Sequence, residues 1–342
     1  MRRIGTLIFA ALLSSGAARA DGDPDLGTRI VGAFAADGKL WLSGADWSHA
    51  RNGNALVSLS LSDGARTLHF RSGVVAMMKL DGHLWVLRQA RAHEDTYWLL
   101  EWKDGAFASV RSFERAGRDA PFALAGVGGK PAVISLAALR VLNDGGWQKT
   151  KLDFPNGNDA PWGVVAPGAP REGGAVYLGF NRGEWGGGML RLDPKDGKIA
   201  KVEGIDPDLD PVNGIVADPA HADCVVAAVG LIHFLSKGAV VRVCGDKGET
   251  IFANAIPGEI GGQEEAFFGL VSTKGGYWAV GSDHVYRFGA AGAPERFDFP
   301  KLESWHGAEL SRALPGVIVL STDMNRQFSV SGTTPLIVSL ED

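Results

Sequence analysis

The chain has little cysteine and lacks the common signatures of a catalytic or transition-metal centre. Cys224 and Cys244 are its only cysteines, and no spaced set of cysteines and histidines of the zinc-binding kind occurs. The HExxH pattern of metallohydrolases and the GxSxG turn of serine hydrolases are also absent. We therefore expect neither a transition-metal site nor nucleophilic catalysis, and these residues predict no cofactor.

Long apolar runs are missing as well. No stretch after the N-terminus approaches the ~18 apolar residues that a membrane-spanning helix needs. The N-terminus carries arginines at positions 2 and 3, an apolar stretch over 4–13 and the small-residue signal Ala18-Arg19-Ala20. This pattern predicts a signal peptide over residues 1–20, removed before Asp21, and hence a periplasmic or secreted protein. The alternative is that the segment stays as an uncleaved anchor.

Positive charge is neither abundant nor concentrated. The formal net charge is −5, and removal of the three arginines within residues 1–20, which hold no acidic residue, leaves −8. A moderately acidic chain with scattered Lys and Arg has no basic stripe to neutralise phosphates, so nucleic acid is not expected as a partner. We expect a monomer whose roughly 320 mature residues form a single domain.

What the sequence does contain is a repeated unit of a strand, a turn and a second strand. Five segments begin with one residue, then Gly, then a short apolar run. They are VGAFA from Val31, WGVVA from Trp162, NGIVA from Asn213, FGLVS from Phe268 and HGAEL from His306. A second strand-like run follows each of them, and such recurrence is typical of a β-propeller.

The repeats predict an all-β, seven-bladed β-propeller with almost no helix; six or eight blades are the alternatives. The blades are expected near residues 30–70, 74–113, 121–154, 162–204, 212–254, 267–299 and 305–341. Turns of the type SDG, KDG, NDGG, PKDG and SKG favour tight hairpins between third and fourth strands. Large aromatic residues at matching positions on the second strands should fill the space between blades. They are Trp41, Trp85, Tyr177 and Trp278.

The two cysteines leave several alternatives open. In an oxidising compartment an isolated pair usually forms a disulfide. The repeat register places Cys224 at the start of a second strand, CVVAAVG, and Cys244 at the end of a fourth, AVVRVC. Those positions lie two strands apart, whereas a disulfide needs Cα atoms within about 7 Å. A disulfide, two buried free thiols and a misassigned register are the alternatives.

One face of the predicted propeller carries the candidate binding residues. The loops that enter each first strand and the loops between second and third strands lie on this loop-rich face, and the opposite, tight-turn face has short turns. The residues before the repeated glycines would stand there at the mouth of the central channel. Trp162, Asn213, Phe268 and His306 predict a partly apolar pocket with a few polar groups, suited to a small molecule. The alternative is that these side chains only plug the channel.

The loop NRGEWGGG, residues 181–188, is the most distinctive segment of that face. Arg182 and Glu184 flank a glycine, Trp185 follows, and three glycines then permit close approach of another backbone or of a ligand. We predict that Arg182, Glu184 and Trp185 bind a ligand or partner. The alternative is that Arg182 pairs with Glu184 while Trp185 packs over the blade. Other loops contribute the further candidates His49, Asp283 and His284.

Two segments resemble known propeller families. GGGMLRLDPKDGKI from Gly186 resembles the blade hairpin of the two-component-regulator propeller repeat and related sensor propellers, in which an apolar third strand ends in a D-P-x-x-G-type turn. This resemblance implies the fold and not an activity. NGIVADPAHADCVVAAV from Asn213 resembles the N-G-φ-x-x-x-P segment of gluconolactonase and regucalcin propellers. That resemblance implies calcium, a cation that takes oxygen ligands, with Asn213 as one ligand.

The sequence departs from the second family at two places. Ala227-Ala228-Val229-Gly230 stands where the family has an aspartate after the second strand, and no early E-G-P motif is present. We therefore expect an exported, non-catalytic propeller that binds a small molecule or a protein through its loop-rich face. The alternative is a calcium-dependent, lactonase-like hydrolase at the channel mouth, which would need several oxygen ligands to converge on Asn213.

Overall fold

The computed structural model describes residues 29–45, 53–89, 94–117, 119–154, 164–168, 174–233, 235–256, 263–289, 292–321 and 335–341. The predicted signal peptide and the predicted site residues His49 and Trp162 lie outside the described residues. In the described part of the chain, no helix has the length and apolar character needed to cross a membrane.

The described residues are all-β, as predicted: they form 27 strands in six antiparallel sheets and no α-helix. The strands coincide with runs rich in Val, Leu and aromatic residues, which fit a pleated, half-buried surface. Tight hairpins separate many of them. In five hairpins of the described residues both turn residues have positive φ, the geometry that matches the twist of the flanking strands. These turns are Asp37-Gly38, Asp81-Gly82, Asp104-Gly105, Gly128-Gly129 and His306-Gly307.

The first sheet is continuous over seven strands in chain order. It contains β1 (Arg29–Ala36), β2 (Lys39–Ala45), β3 (Asn54–Ser60), β4 (Arg66–Leu80), β5 (His83–Gln89), β6 (Thr96–Lys103) and β7 (Ala106–Glu114). Strand β4 serves two repeats, because residues 66–70 pair with β3 and residues 76–80 pair with β5. Two of the predicted repeats therefore share this sheet.

Four strands form each of the other five sheets. The second contains β8 (Pro121–Val127), β9 (Lys130–Ser135), β10 (Ala138–Asn143) and β11 (Gly146–Lys151). The third contains β12 (Val164–Gly168), β13 (Val176–Phe180), β14 (Met189–Leu192) and β15 (Ile199–Lys201). The fourth contains β16 (Val212–Ala217), β17 (Cys224–His233), β18 (Leu235–Cys244) and β19 (Lys247–Phe252).

The last two sheets follow the same antiparallel pattern. The fifth contains β20 (Phe267–Thr273), β21 (Gly276–Gly281), β22 (His284–Phe288) and β23 (Glu295–Asp298). The sixth contains β24 (Glu303–Trp305), β25 (Ala308–Ser311), β26 (Val317–Ser321) and β27 (Pro335–Ser339).

Contacts between sheets run in a closed cycle. Strand β4 contacts β8, and the contacts continue from β8 to β12, β16, β20 and β27. Strand β27 contacts β1, which in turn contacts β4. We call these seven strands the inner strands, and the opposite edge of each sheet its outer edge.

Apolar clusters fill the seams between neighbouring sheets. Trp278 of the fifth sheet packs with residues of the sixth, and Tyr177 of the third packs with residues of the fourth. Trp41 joins the two halves of the first sheet, and the half-buried Trp85 packs toward the second. The prediction that these aromatic side chains fill inter-repeat space is confirmed.

The register predicted for the fourth sheet was wrong. The segment SKG, predicted as a turn, lies inside β18, and β17 and β18 are ten residues long each. Gly238 is a glycine because the backbone of Glu265 and Ala266 lies against it, not because the chain turns there. Cys224 and Cys244 are therefore direct partners on adjacent strands, with Cα atoms 4.4 Å apart, and they form a disulfide.

The strand order predicted for the last repeat was also wrong. GAELSR was predicted as an innermost strand, but Ala308–Ser311 is β25, next to the outer-edge strand β24, and the inner strand is β27. His306-Gly307 is the hairpin turn between β24 and β25. It adopts the same pair of positive φ angles as the Asp-Gly turns, so its glycine serves a hairpin and not an inner strand.

Candidate functional site

The glycine that marks several repeats follows a bulge in an inner strand. In β1 the pairing passes from Ile30 to Gly32 and skips Val31. Strand β16 skips Asn213 and β20 skips Phe268 in the same way. A bulge places an extra residue on one strand and changes the direction of its side chain. Val31 is consequently 45% exposed although it lies on an inner strand.

The same bulge recurs where the sequence has no glycine to mark it. The pairing skips Val75 in β4 and Phe122 in β8, and alanine follows each of them. We call Val31, Val75, Phe122, Asn213 and Phe268 the bulge set. A Cβ at Gly214 would meet the backbone of the fifth sheet at Gly269, so this glycine reflects the close approach of β16 and β20.

Asn213 is the only polar member of the bulge set, and its carboxamide joins three sheets. Its Nδ2 donates to the carbonyl oxygens of Gly230 and Phe267, both at 2.8 Å. Its Oδ1 accepts a hydrogen bond of 2.5 Å from Nδ2 of Asn181, at the start of the 181–188 loop. Asn213 therefore positions this loop against the fourth and fifth sheets.

These bonds bear on the calcium ligand that the family resemblance implied. The carboxamide oxygen of Asn213, the atom that would bind calcium, already accepts from Asn181. Among the described residues, no three His, Cys, Asp or Glu side chains are grouped so that they could hold a metal ion. The geometry thus assigns Asn213 a positioning role, and its role as a calcium ligand stays a prediction.

The 181–188 loop is held in one conformation by its own hydrogen bonds. The side-chain oxygen of Asn181 accepts from the backbone N–H of Gly183 at 2.8 Å. The backbone N–H of Arg182 donates to Gly186 at 2.8 Å, and a single 3-10 turn spans Gly183–Trp185. The turn presents Trp185 at its end.

The three glycines of this loop pack against a second loop, residues 204–211, as the sequence predicted for a close backbone approach. Gly187 N–H donates to the Pro207 carbonyl at 2.8 Å, and Gly188 N–H donates to that of Asp210 at 2.9 Å. A Cβ at Gly186 would meet the backbone of Asp208. Side chains at these positions would separate the two loops.

The 204–211 loop is also rigid, and it is acidic. Asp210 Oδ2 accepts from the backbone N–H of Asp206 at 2.8 Å, and Asp206 Oδ1 accepts from that of Asp208 at 2.9 Å. Lys237, on the long strand β18, donates to Asp210 Oδ1 at 2.6 Å. Three segments of the chain therefore meet here through hydrogen bonds.

The two loops carry the most exposed large apolar side chains among the described residues: Trp185 is 66% exposed and Leu209 is 56% exposed. Gly186 and Asp208, their chain neighbours, are in backbone contact, so the two side chains lie on adjoining turns. We call the exposed part of both loops the Trp185 surface. It is formed by Arg182, Glu184, Trp185, Asp206, Asp208 and Leu209.

The alternative in which Trp185 packs over its blade is wrong, because two thirds of the side chain is exposed. Arg182 is half-buried, and its Nη2 donates to the Pro207 carbonyl at 2.9 Å, so its guanidinium fastens the two loops together. Glu184 is exposed on the 3-10 turn. Sequence reasoning missed Leu209; an isolated leucine among the aspartates of IDPDLDP was the available signal.

Asp283 and His284 belong to a neighbouring polar cluster centred on Glu265, which sequence reasoning also missed. The Glu265 side chain is 1% exposed. Its Oε1 accepts from the backbone N–H groups of Asp283 and His284 at 2.9 and 2.7 Å. Its Oε2 accepts from the Tyr286 hydroxyl at 2.6 Å and from Asn254 Nδ2 at 2.9 Å, and His284 Nδ1 lies 3.1 Å away.

This cluster is structural. Burial alone would raise the pKa of the Glu265 carboxyl, but hydrogen bonds from Tyr286, Asn254 and the Asp283–His284 segment outweigh burial and hold that pKa below its ordinary value. Burial, together with the hydrogen bond to Glu265, raises the pKa of the Tyr286 hydroxyl. The side chain of His284 faces Glu265, while that of Asp283 is exposed.

The structure brings only some of the predicted site residues together. Asn213 reaches the 181–188 loop through Asn181 and reaches the residue before Phe268 through a carbonyl. His306 lies elsewhere, at the outer edge of the sixth sheet. There it flanks a cavity of about 380 Å³ that it shares with the β3–β4 turn at Asp63 and Gly64.

Comparison with known proteins places the fold. No family model and no curated protein matches this chain. Among solved structures, it is similar to the extracellular domain of a hybrid two-component system from B. thetaiotaomicron, with a TM-score of 0.52, 11% identity, and coverage of 87% of this chain and 37% of that one. A second structure of that extracellular domain is described as belonging to a one-component system. It has a TM-score of 0.51 and 12% identity, with coverage of 86% of this chain and 37% of that one.

A third similar structure is the β-propeller domain of the Trilobed protease from Pyrococcus furiosus, with a TM-score of 0.49, 8% identity, and coverage of 88% of this chain and 93% of that one. The chain spans little more than a third of the length of the two extracellular domains. At these identities the likeness concerns the fold alone.

Proposed function

We propose that this protein is an exported, seven-bladed β-propeller that acts as a binding module, and that the Trp185 surface is its principal contact site. The observation that carries the proposal is the 66% exposure of Trp185 on a loop whose conformation is fixed by hydrogen bonds. A rigid aromatic side chain loses little conformational entropy on binding, so it suits a contact site. A rigid scaffold has no need of such exposure for its own stability.

The contacts between inner strands support the number of blades. Seven inner strands follow one another in a closed cycle, and β4 supplies the outer strand of one repeat and the inner strand of the next. One blade per inner strand gives seven blades. Closure would then rest on packing between β27 and β1, since all the described strands of the sixth sheet come from residues 303–339.

Two observations support export. Cys224 and Cys244 form a disulfide, and disulfides persist mainly in oxidising compartments. The two B. thetaiotaomicron structures of similar fold are extracellular domains. Together with the signal-peptide pattern of residues 1–20, these observations favour a periplasmic or secreted location.

Thermal unfolding in the presence of candidate ligands tests the proposal, because a ligand that binds only the folded state raises Tm. Saturation at about 100 times Kd stabilises the fold by ~2.7 kcal/mol. We expect a small molecule or protein whose effect on Tm is lost in Trp185→Ala and kept in Trp98→Ala, a control at another exposed tryptophan (37% exposed). A ligand whose effect survives Trp185→Ala and Leu209→Ala would overturn the assignment of the contact site.

Calcium-dependent lactone hydrolysis is the other function that the sequence suggested. The hydrogen bond from Asn181 to the Asn213 oxygen argues against it, and no contact in the described residues favours it. The same experiment includes calcium, a chelator and a lactone. A rise in Tm with calcium, abolished in Asn213→Ala together with lactone hydrolysis, would replace the binding module with the enzyme.

A further inference from the structure

We infer that the partner of the Trp185 surface is a cationic polypeptide segment that carries an aromatic or aliphatic side chain beside its basic residues. This inference rests on the proposed function and adds the chemistry of the partner. It follows from the charge and the apolar content of the same few residues.

The available charge of the surface is negative. Asp206 and Asp208 are exposed on the 204–211 loop. Among the described residues, Lys237 is paired with Asp210, and Arg182 is the basic side chain of the surface, with its guanidinium donating to the Pro207 carbonyl. The carboxylates of Asp206 and Asp208 outnumber this one guanidinium, so a partner meets an excess of negative charge, which a basic segment complements. Phosphate-bearing partners, nucleic acids and anionic membranes included, would be repelled.

The apolar residues of the surface require a partner that offers apolar side chains as well as positive charge. Trp185 and Leu209 expose apolar area on adjoining turns, and a charged group alone would cover neither. In interfaces such aromatic anchors carry a large share of the binding energy, whereas rim charges mainly affect the association rate and the salt dependence. Leucine offers no hydrogen bond, so a neutral polysaccharide leaves Leu209 unexplained. A peptide that alternates basic and apolar side chains satisfies both features.

The surface is prepared for such a segment before binding. The 181–188 and 204–211 loops are joined by hydrogen bonds from Gly187 and Gly188 to Pro207 and Asp210. Asn213 fixes the near end of the first loop through Asn181. Because the loops need little ordering on binding, a short segment can be held without a large interface.

The test uses a fluorescent eight-residue peptide of Lys, Leu and Phe, with anisotropy measured against the full chain at low and at physiological salt. One control peptide replaces Lys by Glu, a second replaces Leu and Phe by Gly, and a third probe is a neutral oligosaccharide. The protein variants are Trp185→Ala and the double substitution Asp206→Asn/Asp208→Asn. Matched controls are Trp98→Ala and Asp37→Asn/Asp81→Asn, which remove an exposed tryptophan and two turn carboxylates elsewhere.

We expect Trp185→Ala to weaken binding of the Lys-Leu-Phe peptide at least about tenfold. The Asp206/Asp208 double variant should weaken it severalfold at low salt and flatten its salt dependence. Both control variants should bind within about twofold of the parent chain. Tm of every variant is measured beside binding, so that a folding defect is recognised as such.

Three outcomes would overturn the inference: no peptide binds, the Glu peptide binds as well as the Lys peptide, or only the oligosaccharide binds. If the oligosaccharide binds and Trp185→Ala abolishes it, the proposed contact site stands and only the partner chemistry fails. If peptide binding survives both Trp185 and Asp206/Asp208 variants and is lost in Asp37→Asn/Asp81→Asn, the contact site and the partner fail together.

Discussion

Two tryptophans of this protein stand in opposite environments. Trp278 is 2% exposed in the seam between the fifth and sixth sheets, whereas Trp185 is 66% exposed on a loop. The first stabilises the cycle of sheets, and the second contributes almost nothing to it. The comparison teaches that stability resides in the seams, while the loops are free to carry binding residues because hydrogen bonds and glycine packing already fix their shape.

The largest expected effect is at the seam. Trp278→Ala removes a buried indole that packs against Val317 and Ile337, and the cavity it leaves should lower the free energy of unfolding by about 3–5 kcal/mol. Urea unfolding followed by circular dichroism measures this loss. Trp98→Ala is the control. A loss below about 1 kcal/mol would mean that the seam repacks, contrary to a rigid cycle of sheets.

Asn213→Ala should lower the free energy of unfolding by an intermediate amount, because Asn213 bonds both to strands of the fourth and fifth sheets and to the 181–188 loop. The substitution leaves the carbonyls of Gly230 and Phe267 without their side-chain donor, which should cost about 1–3 kcal/mol. It also releases Asn181, so we expect faster hydrogen exchange at Gly183 and Gly186 in the 181–188 loop. Unchanged exchange there would show that Asn213 does not position the loop.

A pH-dependent effect is expected in the first sheet, at His69. Its ring contacts those of Trp41 and Trp102, and burial, followed by the charge of Lys39, lowers the pKa of His69 to about 4. The unfolded chain binds this proton near pH 6.5, whereas the folded chain binds it only near pH 4, so the free energy of unfolding should fall as pH drops through that window.

Urea unfolding at pH 7, 6 and 5 measures this slope. His69→Gln should flatten it, because the side chain no longer titrates. Glu265 does not interfere, since the pKa of its carboxyl is held below its usual value and its contribution is lost only at lower pH. Equal slopes in the parent chain and in His69→Gln would contradict the assignment.

The smallest expected effect is at the Trp185 surface. Trp185→Ala should change the free energy of unfolding by no more than about 0.5 kcal/mol, because the side chain is largely exposed and the loop is held by its backbone. The same urea measurement that detects the Trp278 loss applies here. A loss of unfolding free energy comparable with that of Trp278→Ala would show that Trp185 is also a structural residue. The reason to regard it as a contact residue would then be gone.

Local patterns predicted the all-β fold and the tight turns at KDG and NDGG, because both depend on side chains close in sequence. The aromatic residues at matching positions of the second strands predicted the seams, because each repeat presents the same position to its neighbour.

The predictions were wrong where a glycine can serve more than one structural purpose. The SKG pattern indicates a turn at Gly238, but this residue faces the backbone of Ala266 inside a strand. The repeat pattern indicates an inner strand at Gly307, but this residue completes a hairpin. Both errors also changed the positions predicted for neighbouring residues. Cys244 was predicted one strand too far along its sheet, and His306 was predicted at the inner edge of its sheet instead of the outer edge.

The candidate site was predicted in part. Trp185 and the glycines after it were identified because an aromatic residue in a glycine-rich loop is unusual on its own. Leu209 and Glu265 were not, because their importance depends on neighbours distant in the chain. Leu209 belongs to the candidate site because it lies beside the loop of Trp185. Glu265 is the centre of a polar cluster because it accepts hydrogen bonds from Asn254 and Tyr286.

The sequence by itself determined that the chain forms β-strands joined by tight Asp-Gly turns, since alternating apolar residues and Asp-Gly pairs act within a few residues. Only the tertiary structure decided which strand is innermost in the sixth sheet, which cysteines face each other and which polar side chains are free. Those choices depend on packing between sheets: β27 is inner because it lies between β20 and β1, and Asn213 is a positioning residue because three sheets meet at its carboxamide.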